Sequence, residues 1–343
     1  MRRRADGSGG FVLLNALVVV LALSLVASFL LRLSGESLAR QTGGQTAAQA
    51  TLYLEAAETL LITRLNASRP ASGPPQPGED ATEAAIAPFR AALVFDVPID
   101  RGHVAARLQD RGGAFNVNWL ANPDDLAAGA AFQRLMARIG LSQSLATAIR
   151  AHLGDAPDAA RYRGFAPAYR PRGGPVARLE DLLAVPGFGP RQLERLATVA
   201  IAAPGRLPVN VNAAPPQVLA ALFPAAEVAG VEALALELRA KPAKTLEEFE
   251  ARLVAKLGEE ALEGAVMQQL SLQSYWYEAQ IEARLDGLTL RRFAGLERRL
   301  TDGGAQVSFR AEPGIAASPL ISPSASASET PLGAESFRPE ARR

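Results

Sequence analysis

The chain starts with a basic segment, Met1 to Gly10, followed by an apolar run from Phe11 to Leu31 in which no residue carries a formal charge. A helix of about 20 apolar residues spans the hydrocarbon core of a bilayer. Arg2, Arg3 and Arg4 precede the run, and basic residues beside a membrane helix favour the cytoplasmic side. The run therefore predicts a membrane helix with its N-terminus in the cytoplasm and the bulk of the chain on the opposite side.

Gly10 and Phe11 form a candidate processing site just before this run. A secretory signal has a shorter apolar core and is cleaved after it, whereas cleavage between Gly10 and Phe11 would leave the membrane helix on the mature protein. The arrangement resembles the type IV prepilin leader, in which a membrane peptidase cuts after Gly and the new first residue is often Phe. That family usually has Glu at the fifth mature position, where this chain has Asn15. A plain N-terminal membrane anchor is the alternative interpretation.

Composition narrows the classes of function. The formal net charge is +1, so no strong electrostatic attraction to nucleic acid is implied. Cysteine is absent, which excludes disulfides and thiolate metal sites. His103 and His152 have no triad spacing, and the nucleophile pairs that need cysteine are missing. We therefore predict that the protein is not an enzyme.

The helical pattern continues beyond the apolar run. Residues 32–65 contain no proline, and the apolar positions Leu54, Ala57, Leu61 and Leu65 recur at helical spacing. A single helix from Phe11 to Leu65 would be about 80 Å long. Gly35, Gly43 and Gly44 are its weak points, each costing about 1 kcal/mol relative to alanine. The alternative is a membrane helix, a short linker and a separate soluble helix.

Alternation of apolar and polar residues, which is typical of half-buried strands, follows an irregular proline-rich loop at residues 66–88. It occurs in His103–Asp110 and continues in Arg111–Leu120. The clearest alternation begins at Tyr275 and leads into a meander. The parts of the meander are the turn Asp286–Gly287, the strand Leu288–Arg299, the turn Thr301–Gly304 and the strand Ala305–Arg310.

Between these strands, from about Asn122 to Gln269, the apolar periodicity is helical. The helical patterns are Phe132–Ile139, Leu145–Leu153, Leu179–Leu183, Arg191–Ile201, Gln217–Phe223, Val231–Leu238 and Leu246–Leu257. Strands at both ends of a helical block predict that the block is inserted into a single α+β unit. A short antiparallel sheet on the exposed half of the N-terminal helix would bury both apolar faces.

Three motifs together resemble the family of general secretion pathway protein K (GspK), the large minor pseudopilin of type II secretion systems. They are Leu108–Asn118 with Asp, Gly, an aromatic residue and Asn-x-Asn, Leu207–Leu219 with Asn-Val-Asn-Ala, and the aromatic stretch Ser271–Tyr277. With the start at Gly10–Phe11, the resemblance covers about residues 8 to 300. Proteins of this family lack the Glu at the fifth mature position, so Asn15 agrees with the resemblance.

The resemblance implies a pilin-like α+β fold with a long N-terminal transmembrane and amphipathic helix, an antiparallel sheet and a large inserted all-α domain. That domain would contain helix-hairpin-helix or SAM-like units. The implied parts are the prepilin leader (1–10), the N-terminal helix (11–65, transmembrane over 11–31), a loop and the first strands (66–121), the inserted helical domain (122–269), a C-terminal β-meander (270–311) and a disordered tail (312–343).

The implied function is that of a minor pseudopilin at the tip of the periplasmic pseudopilus, which initiates or caps assembly and supports export of folded proteins across the outer membrane. The prepilin peptidase would cut between Gly10 and Phe11, and Phe11 would be N-methylated. In pilins the fifth-position carboxylate is thought to pair with a neighbour's N-terminal amine inside lipid. A subunit with the neutral Asn15 at this assembly position would sit naturally at the filament end. The expected partners are the I, J and H types of minor pseudopilin, the pseudopilus and the inner membrane, without nucleic acid; whether the system is type II secretion or a related pilus-like machine is left open.

Leu182–Leu193 resembles a helix-hairpin-helix, and in DNA-binding versions its Gly-x-Gly amides contact a phosphate. A membrane-tethered DNA-binding protein for DNA uptake is therefore the alternative function. The formal charges between Leu179 and Phe223 balance, and Pro190 removes one N–H group, which favours a structural hairpin. A second, similar helical unit is expected to begin near Asn210, with Asn212 as a helix cap.

Candidate metal ligands and contact patches are few. The acids Asp124, Asp125, Asp155 and Asp158 are scattered and form no alternating run of oxygen ligands. Calcium is therefore left open with no ligand assigned, and no other cofactor is expected. The arginine-rich stretch Arg161–Arg172 would contact a partner or form a solvated loop.

Overall fold

The computed structural model describes residues 8–67, 93–154, 169–301 and 303–312. Its first element, helix α1, runs without interruption from Ser8 to Ala67. This segment contains no proline and is rich in alanine and leucine, which have high helix propensity. The prediction of one continuous rod from Phe11 to Leu65 is confirmed, and the alternative with a linker between two helices is wrong.

Helix α1 has two halves with different surroundings. Leu14–Ser34 is long and apolar enough to cross a membrane, and none of it is buried inside the protein. From Ala50 onward one face is buried against the rest of the chain. That face consists of Ala50, Leu54, Ala57, Leu61 and Leu65, so the predicted amphipathic second half is confirmed.

The other described elements follow in chain order. They are strands β1 (Leu93–Ile99), β2 (Gly102–Asp110) and β3 (Phe115–Asn116); helices α2 (Leu126–Arg138), α3 (Gln143–Leu153) and α4 (Pro190–Ala197); strands β4 (Ala200–Ile201) and β5 (Val209–Asn210); helices α5 (Pro216–Leu222), α6 (Val228–Ala240) and α7 (Leu246–Leu257); and strands β6 (Leu270–Ser271), β7 (Trp276–Leu285), β8 (Leu288–Arg298) and β9 (Ala305–Ala311). Short 3-10 helices lie at Val117–Ala121, Leu179–Ala184, Glu259–Leu262 and Met267–Gln269.

The five long strands form one antiparallel sheet in the order β1-β2-β7-β8-β9. The buried face of α1 packs on this sheet, against inward-facing residues such as Leu108 and Ile281. In the hairpin between β7 and β8, Asp286 and Gly287 have positive φ values of 49° and 80°, which suit a type I′ turn. The predicted strands at His103–Asp110, from Tyr275 onward and at Ala305–Arg310 are confirmed.

Two strand assignments differ from the expectations. Strand β1 is absent from the predicted strands. Its Pro98 is tolerated because β1 is at the edge of the sheet. The prediction of strand-like structure through Arg111–Leu120 is wrong, because only β3 pairs and a 3-10 helix follows it directly. Asn116 and Asn118 are buried together with their apolar neighbours, so the polar positions do not mark a face in solvent.

The helical block, residues 111–275, is inserted between β2 and β7, which are neighbours in the sheet. These two strands pair from Gly102 opposite Leu285 to Asp110 opposite Tyr277. The block has its own apolar core, which is distinct from the core between α1 and the sheet. The predicted insertion of a helical block into a single α+β unit is therefore confirmed.

Several predicted segments lie outside the described residues. They are residues 1–7 of the leader, the proline-rich loop from residue 68 and the tail beyond Glu312. The expectations for these segments stay predictions.

Candidate functional site

The predicted processing and assembly positions lie at the start of α1. The peptide bond between Gly10 and Phe11 falls in the first turn of the helix. Asn15 follows about one turn later, exposed, near the beginning of the candidate span Leu14–Ser34. A side-chain amide placed in hydrocarbon is costly unless it finds a hydrogen-bonding partner. Cleavage, methylation and the assembly role of Asn15 stay predictions.

Asn116 and Asn118 form a buried pair that we call the first asparagine frame. The Nδ2 group of Asn118 donates to the carbonyl oxygens of Val176 and Ala203, at 2.9 and 2.8 Å. Its Oδ1 accepts from the N–H of Val176 at 2.8 Å. Asn116 Oδ1 accepts from the N–H groups of Asn118 and Ala203, at 3.1 and 3.2 Å. The frame thus ties together three segments that are distant in sequence.

Asn210 and Asn212 form the second asparagine frame in the same way. The Nδ2 group of Asn212 donates to the carbonyl oxygens of Ala243 and Leu272, at 3.0 and 3.4 Å, and its Oδ1 accepts from the N–H of Ala243 at 2.8 Å. Asn210 Oδ1 accepts from the N–H of Asn212 at 3.0 Å. The predicted helix cap at Asn212 is therefore wrong. Helix α5 begins after Pro215 without a side-chain cap, because the Asn212 amide is engaged elsewhere.

The two frames organise two copies of one local design, unit one (residues 115–203) and unit two (residues 209–272). Each unit is closed by a two-residue parallel strand pair, β3 with β4 and β5 with β6. The segments that the frames clamp have similar sequences, Val176–Leu182 and Ala243–Phe249. Within them Asp181 and Glu248 occupy equivalent positions, and each accepts the N–H four residues earlier, at 3.0 and 2.8 Å. The predicted second, similar helical unit is confirmed.

The helical block meets the sheet where the chain leaves β2 and returns to β7. The Oδ1 atom of Asp110 accepts from the N–H of Gly112 at 2.8 Å. The carbonyl oxygen of Gly112 accepts from the N–H of Asn210 at 2.8 Å. Asn210 Nδ2 donates in turn to Ser274 Oγ at 2.8 Å. The second asparagine frame therefore takes part in the junction between block and sheet.

Asp110 is the titratable group at the centre of this junction. Burial raises the pKa of its carboxyl to about 6. Hydrogen bonds from Ser274 and the Gly112 N–H, and the positive charges of Arg298 and Arg111, act in the opposite direction and limit the rise in pKa. The carboxyl therefore titrates closer to neutral pH than an ordinary aspartate.

A further series of contacts connects the junction to the end of α1. The Tyr277 hydroxyl donates to the carbonyl oxygen of Ser274 at 2.9 Å, and burial raises the pKa of this hydroxyl. The guanidinium carbon of Arg298 lies 5.9 Å from the centre of the Tyr277 ring. Arg298 Nη2 donates to the carbonyl oxygen of Leu65, near the last turn of α1, at 2.9 Å. The orientation of the block is thus coupled to that of the long helix.

The predicted helix-hairpin-helix, Leu182–Leu193, spans the end of the 3-10 helix Leu179–Ala184, a short loop and the start of α4 at Pro190. The N–H of Phe188 donates to the carbonyl oxygen of Val185 at 3.0 Å. The N–H of Gly189 donates to Gln192 Oε1 at 3.2 Å. The amides of Phe188 and Gly189 are thus already bonded within the chain, which favours the structural hairpin over the DNA-binding one.

The structure does not bring the two histidines together. His103 lies on β2. His152 is buried near the end of α3, where its Nδ1 is 2.7 Å from the hydroxyl oxygen of Tyr169 and the two rings stack. Burial, assisted by the charge of Arg172, lowers the pKa of His152. This histidine is therefore part of the packing of unit one.

Of the four scattered acids, Asp124 and Asp125 lie within the described residues. Asp125 caps helix α2 and also accepts hydrogen bonds from Arg206 and Gln269. Asp155, Asp158 and residues 161–168 of the arginine-rich stretch lie outside the described residues. Within the four described ranges, no group of three or more histidine and carboxylate side chains could hold a metal ion.

Comparison with known proteins finds a sequence match within the block and a solved structure of similar fold. Residues 113–205, which contain unit one, match the family model described as type II secretion system (T2SS), protein K. The fold is similar to that of a chain in the crystal structure of the GspK-GspI-GspJ complex from the enterotoxigenic Escherichia coli type 2 secretion system. The TM-score is 0.65 at 19% sequence identity, covering 80% of this chain and 99% of that one. Among curated proteins, no match is found. The resemblance to the protein K family is thus confirmed by the sequence match over unit one, and the solved structure shows a shared fold over most of the chain.

Proposed function

We propose that the protein is a minor pseudopilin of a type II secretion system. The observation that carries this proposal is the match to the protein K family over residues 113–205. This stretch lies in a block inserted between neighbouring strands of a sheet, and the sheet packs on a helix long enough to cross a membrane. A membrane helix, a pilin-like sheet and a protein K unit in one chain are the combination that this role requires.

The proposed location is the inner membrane, with the globular part in the periplasm. The apolar span Leu14–Ser34 supports a membrane anchor, and Arg2, Arg3 and Arg4 favour a cytoplasmic N-terminus. We propose that the prepilin peptidase cuts between Gly10 and Phe11, and that Phe11 is then N-methylated.

The proposed position in the pseudopilus is the tip, where the subunit initiates or caps assembly. Two features support it. The helical block is a second body with its own core, separate from the core between α1 and the sheet, and we expect this extra bulk to fit poorly inside a regular filament. Asn15 is neutral and offers no carboxylate to the N-terminal amine of another subunit. The proposed role is mechanical, so it needs no cofactor and no catalytic residue.

The proposed partners are the I, J and H types of minor pseudopilin. The similar chain belongs to a complex of GspK with GspI and GspJ, and the shared fold makes the same kind of assembly the expectation here. The exposed residues Leu52 and Leu60 on α1 leave part of the helix surface available beside the sheet.

The test is co-purification of the tagged full-length chain from detergent, after co-expression with prepilin peptidase and the I and J minor pseudopilins of the same genome. We expect a stable ternary complex in which the chain begins with N-methylated Phe11. A Gly10→Val chain is the matched control, which should keep Met1 and remain unprocessed. A wild-type chain that still begins at Met1, or that fails to retain either partner, would contradict the proposal.

The same preparation tests the alternative function. A DNA-binding chain would bind duplex DNA with an affinity that falls steeply as salt increases. We expect no binding at low salt, since the hairpin amides are bonded within the chain.

A further inference from the structure

Helix α1 passes through an exposed stretch before it reaches the sheet. The candidate membrane span ends at Ser34, and the firmly packed part of the helix begins at Ala50, the first buried position among those residues of α1 whose burial is described. Between them, residues 40–45 are all exposed. Most helices in proteins owe their stability to the packing of one face, and this stretch has no buried face. Gly43 and Gly44 lie side by side within it.

Neither glycine is required by its own surroundings in this chain. A Cβ atom added at Gly43 or Gly44 would meet nothing within 4 Å beyond the nearby backbone of α1 itself. Gly113 gives the contrast, because a Cβ atom there would come within 2.3 Å of the Ala213 backbone. Both helical glycines also lack the positive φ that would favour glycine. Their effect on α1 is therefore a lowered helix propensity, and such pairs are common sites of kinks.

The segment that follows is held firmly to the globular part. Glu58 is buried, and its Oε2 accepts from Arg310 Nε on β9 at 2.9 Å. Further along, Arg298 binds the Leu65 carbonyl oxygen. Bending of α1 is thus opposed beyond Ala50, and the weak point lies just before the firmly held part.

We propose that Gly43–Gly44 is a hinge that uncouples the direction of the globular part from that of the membrane span. The proposal rests on the proposed function only in that α1 is membrane-anchored. A hinge at this height lets the globular part change its tilt above the bilayer while the span stays in lipid.

The chain contains no cysteine, so two introduced cysteines can be spin-labelled selectively to measure the distance across the hinge. Leu31 and Leu52 are 74% and 64% exposed and lie on either side of the glycines, about 32 Å apart in a straight helix. Leu14 is 58% exposed and forms with Leu31 a control pair within the span, about 26 Å apart. Each pair is replaced by cysteine in the full-length chain, labelled, and measured by pulsed electron resonance in lipid nanodiscs.

We expect a broad distance distribution for the 31–52 pair and a narrow one for the 14–31 pair. Gly43→Ala with Gly44→Ala should narrow the 31–52 distribution, because two such replacements favour the helix by roughly 30-fold. Gly174→Ala, at a site where a Cβ meets nothing within 4 Å, is the matched glycine control and should leave both distributions unchanged.

Two outcomes would overturn the hinge. One is a wild-type 31–52 distribution as narrow as that of the 14–31 control. The other is a broad distribution that the double alanine variant does not narrow. The measurement uses the chain without partners, so a failure to bind other pseudopilins would contradict the proposed function and leave the hinge intact.

Discussion

Units one and two of the helical block share a frame but differ in how it is anchored. In both, the second asparagine of an Asn-Val-Asn sequence clamps a backbone segment by three hydrogen bonds, from Asn118 to Val176 and Ala203 and from Asn212 to Ala243 and Leu272. The first asparagine differs in its outer contact. Asn116 donates to the Gly205 carbonyl oxygen, whereas Asn210 donates to Ser274 at the junction with the sheet.

The residue that follows each asparagine pair also differs between the two units. In unit one it is Trp119, which is buried, donates to the Leu207 carbonyl oxygen at 3.1 Å and packs edge-on against Phe115. In unit two it is Ala213, whose backbone lies against Gly113. Unit one is thus anchored by aromatic side chains and unit two by close backbone contact and by the sheet. The same arrangement of buried asparagines therefore occurs in two different settings. In each unit the asparagine pair fixes the backbone geometry, and the residue that follows the pair determines which part of the chain the unit packs against.

The largest expected effect comes from removing the aromatic anchor of unit one. Trp119→Ala leaves a cavity in the block core and is expected to lower the free energy of unfolding by about 4 kcal/mol. Urea denaturation in detergent, followed by the fluorescence of Trp276, measures the change. Leu236→Ala, at a side chain that is 65% exposed on α6, is the control and should change stability by about 0.5 kcal/mol or less. A small effect of Trp119→Ala would mean that unit one does not depend on this anchor.

Asn118→Ala and Asn212→Ala test whether the two frames are equivalent. Each variant leaves buried backbone groups without a partner, and we expect each to cost about 3 kcal/mol. The same denaturation experiment should give values that agree within about 1 kcal/mol. Glu232→Ala, at an exposed position of α6, controls for the loss of a polar side chain. A large cost in one frame and a negligible one in the other would refute the equivalence.

Gly113→Ala tests the backbone contact that anchors unit two. The added Cβ would lie 2.3 Å from the Ala213 carbonyl carbon, so the backbone must shift. We expect a loss of about 2 kcal/mol in the free energy of unfolding, and Gly174→Ala should be nearly neutral because its Cβ meets open space. Equal melting temperatures for the two variants would show that the contact with Ala213 is unimportant.

The smallest expected effect is a pH dependence of the free energy of unfolding. It comes from Asp110, at the junction where unit two meets the sheet. The folded-state pKa of Asp110, about 6, lies above the ordinary value of 3.8, so the folded state binds this proton more tightly. Protonated Asp110 therefore stabilises the folded state. This stabilisation is fully present when the pH is below the ordinary pKa of 3.8, and it is lost as the pH rises through about 6. Because Asp110 is only half-buried, we expect a change of about 2 kcal/mol or less.

Asp110→Asn should remove this dependence, since an amide does not ionise. Melting temperatures of the wild-type chain and the variant, measured from about pH 4 to about pH 7, give the comparison. Asp96→Asn, at an exposed position of β1, controls for the loss of a carboxylate. An unchanged pH slope in Asp110→Asn would assign the slope to other groups.

Local patterns predicted much of this architecture. The helix from Phe11, the amphipathic face around Leu61 and the strand from Tyr275 depend on periodicity that neighbouring residues determine directly. The Asn-Val-Asn sequences marked the two units, but their chemistry was missed. Asn212 matched a helix cap, and Asn116 with Asn118 matched the polar side of a strand. Buried and exposed asparagines look alike in a pattern of apolar and polar residues. Asn118 and Asn212 can be buried only because the distant backbone groups of Val176 and Ala243 bind their side chains.

By itself, the sequence determined the long apolar helix, the α+β order of the elements and the insertion of a helical block. These features follow from apolar periodicity, which acts within a few turns of helix or a few residues of strand. The tertiary structure alone decided which carbonyls the frames bind, that Asp110 lies at the junction of block and sheet, and that Gly43 and Gly44 lie in an exposed stretch. These features depend on contacts between residues far apart in the chain, which local periodicity does not encode.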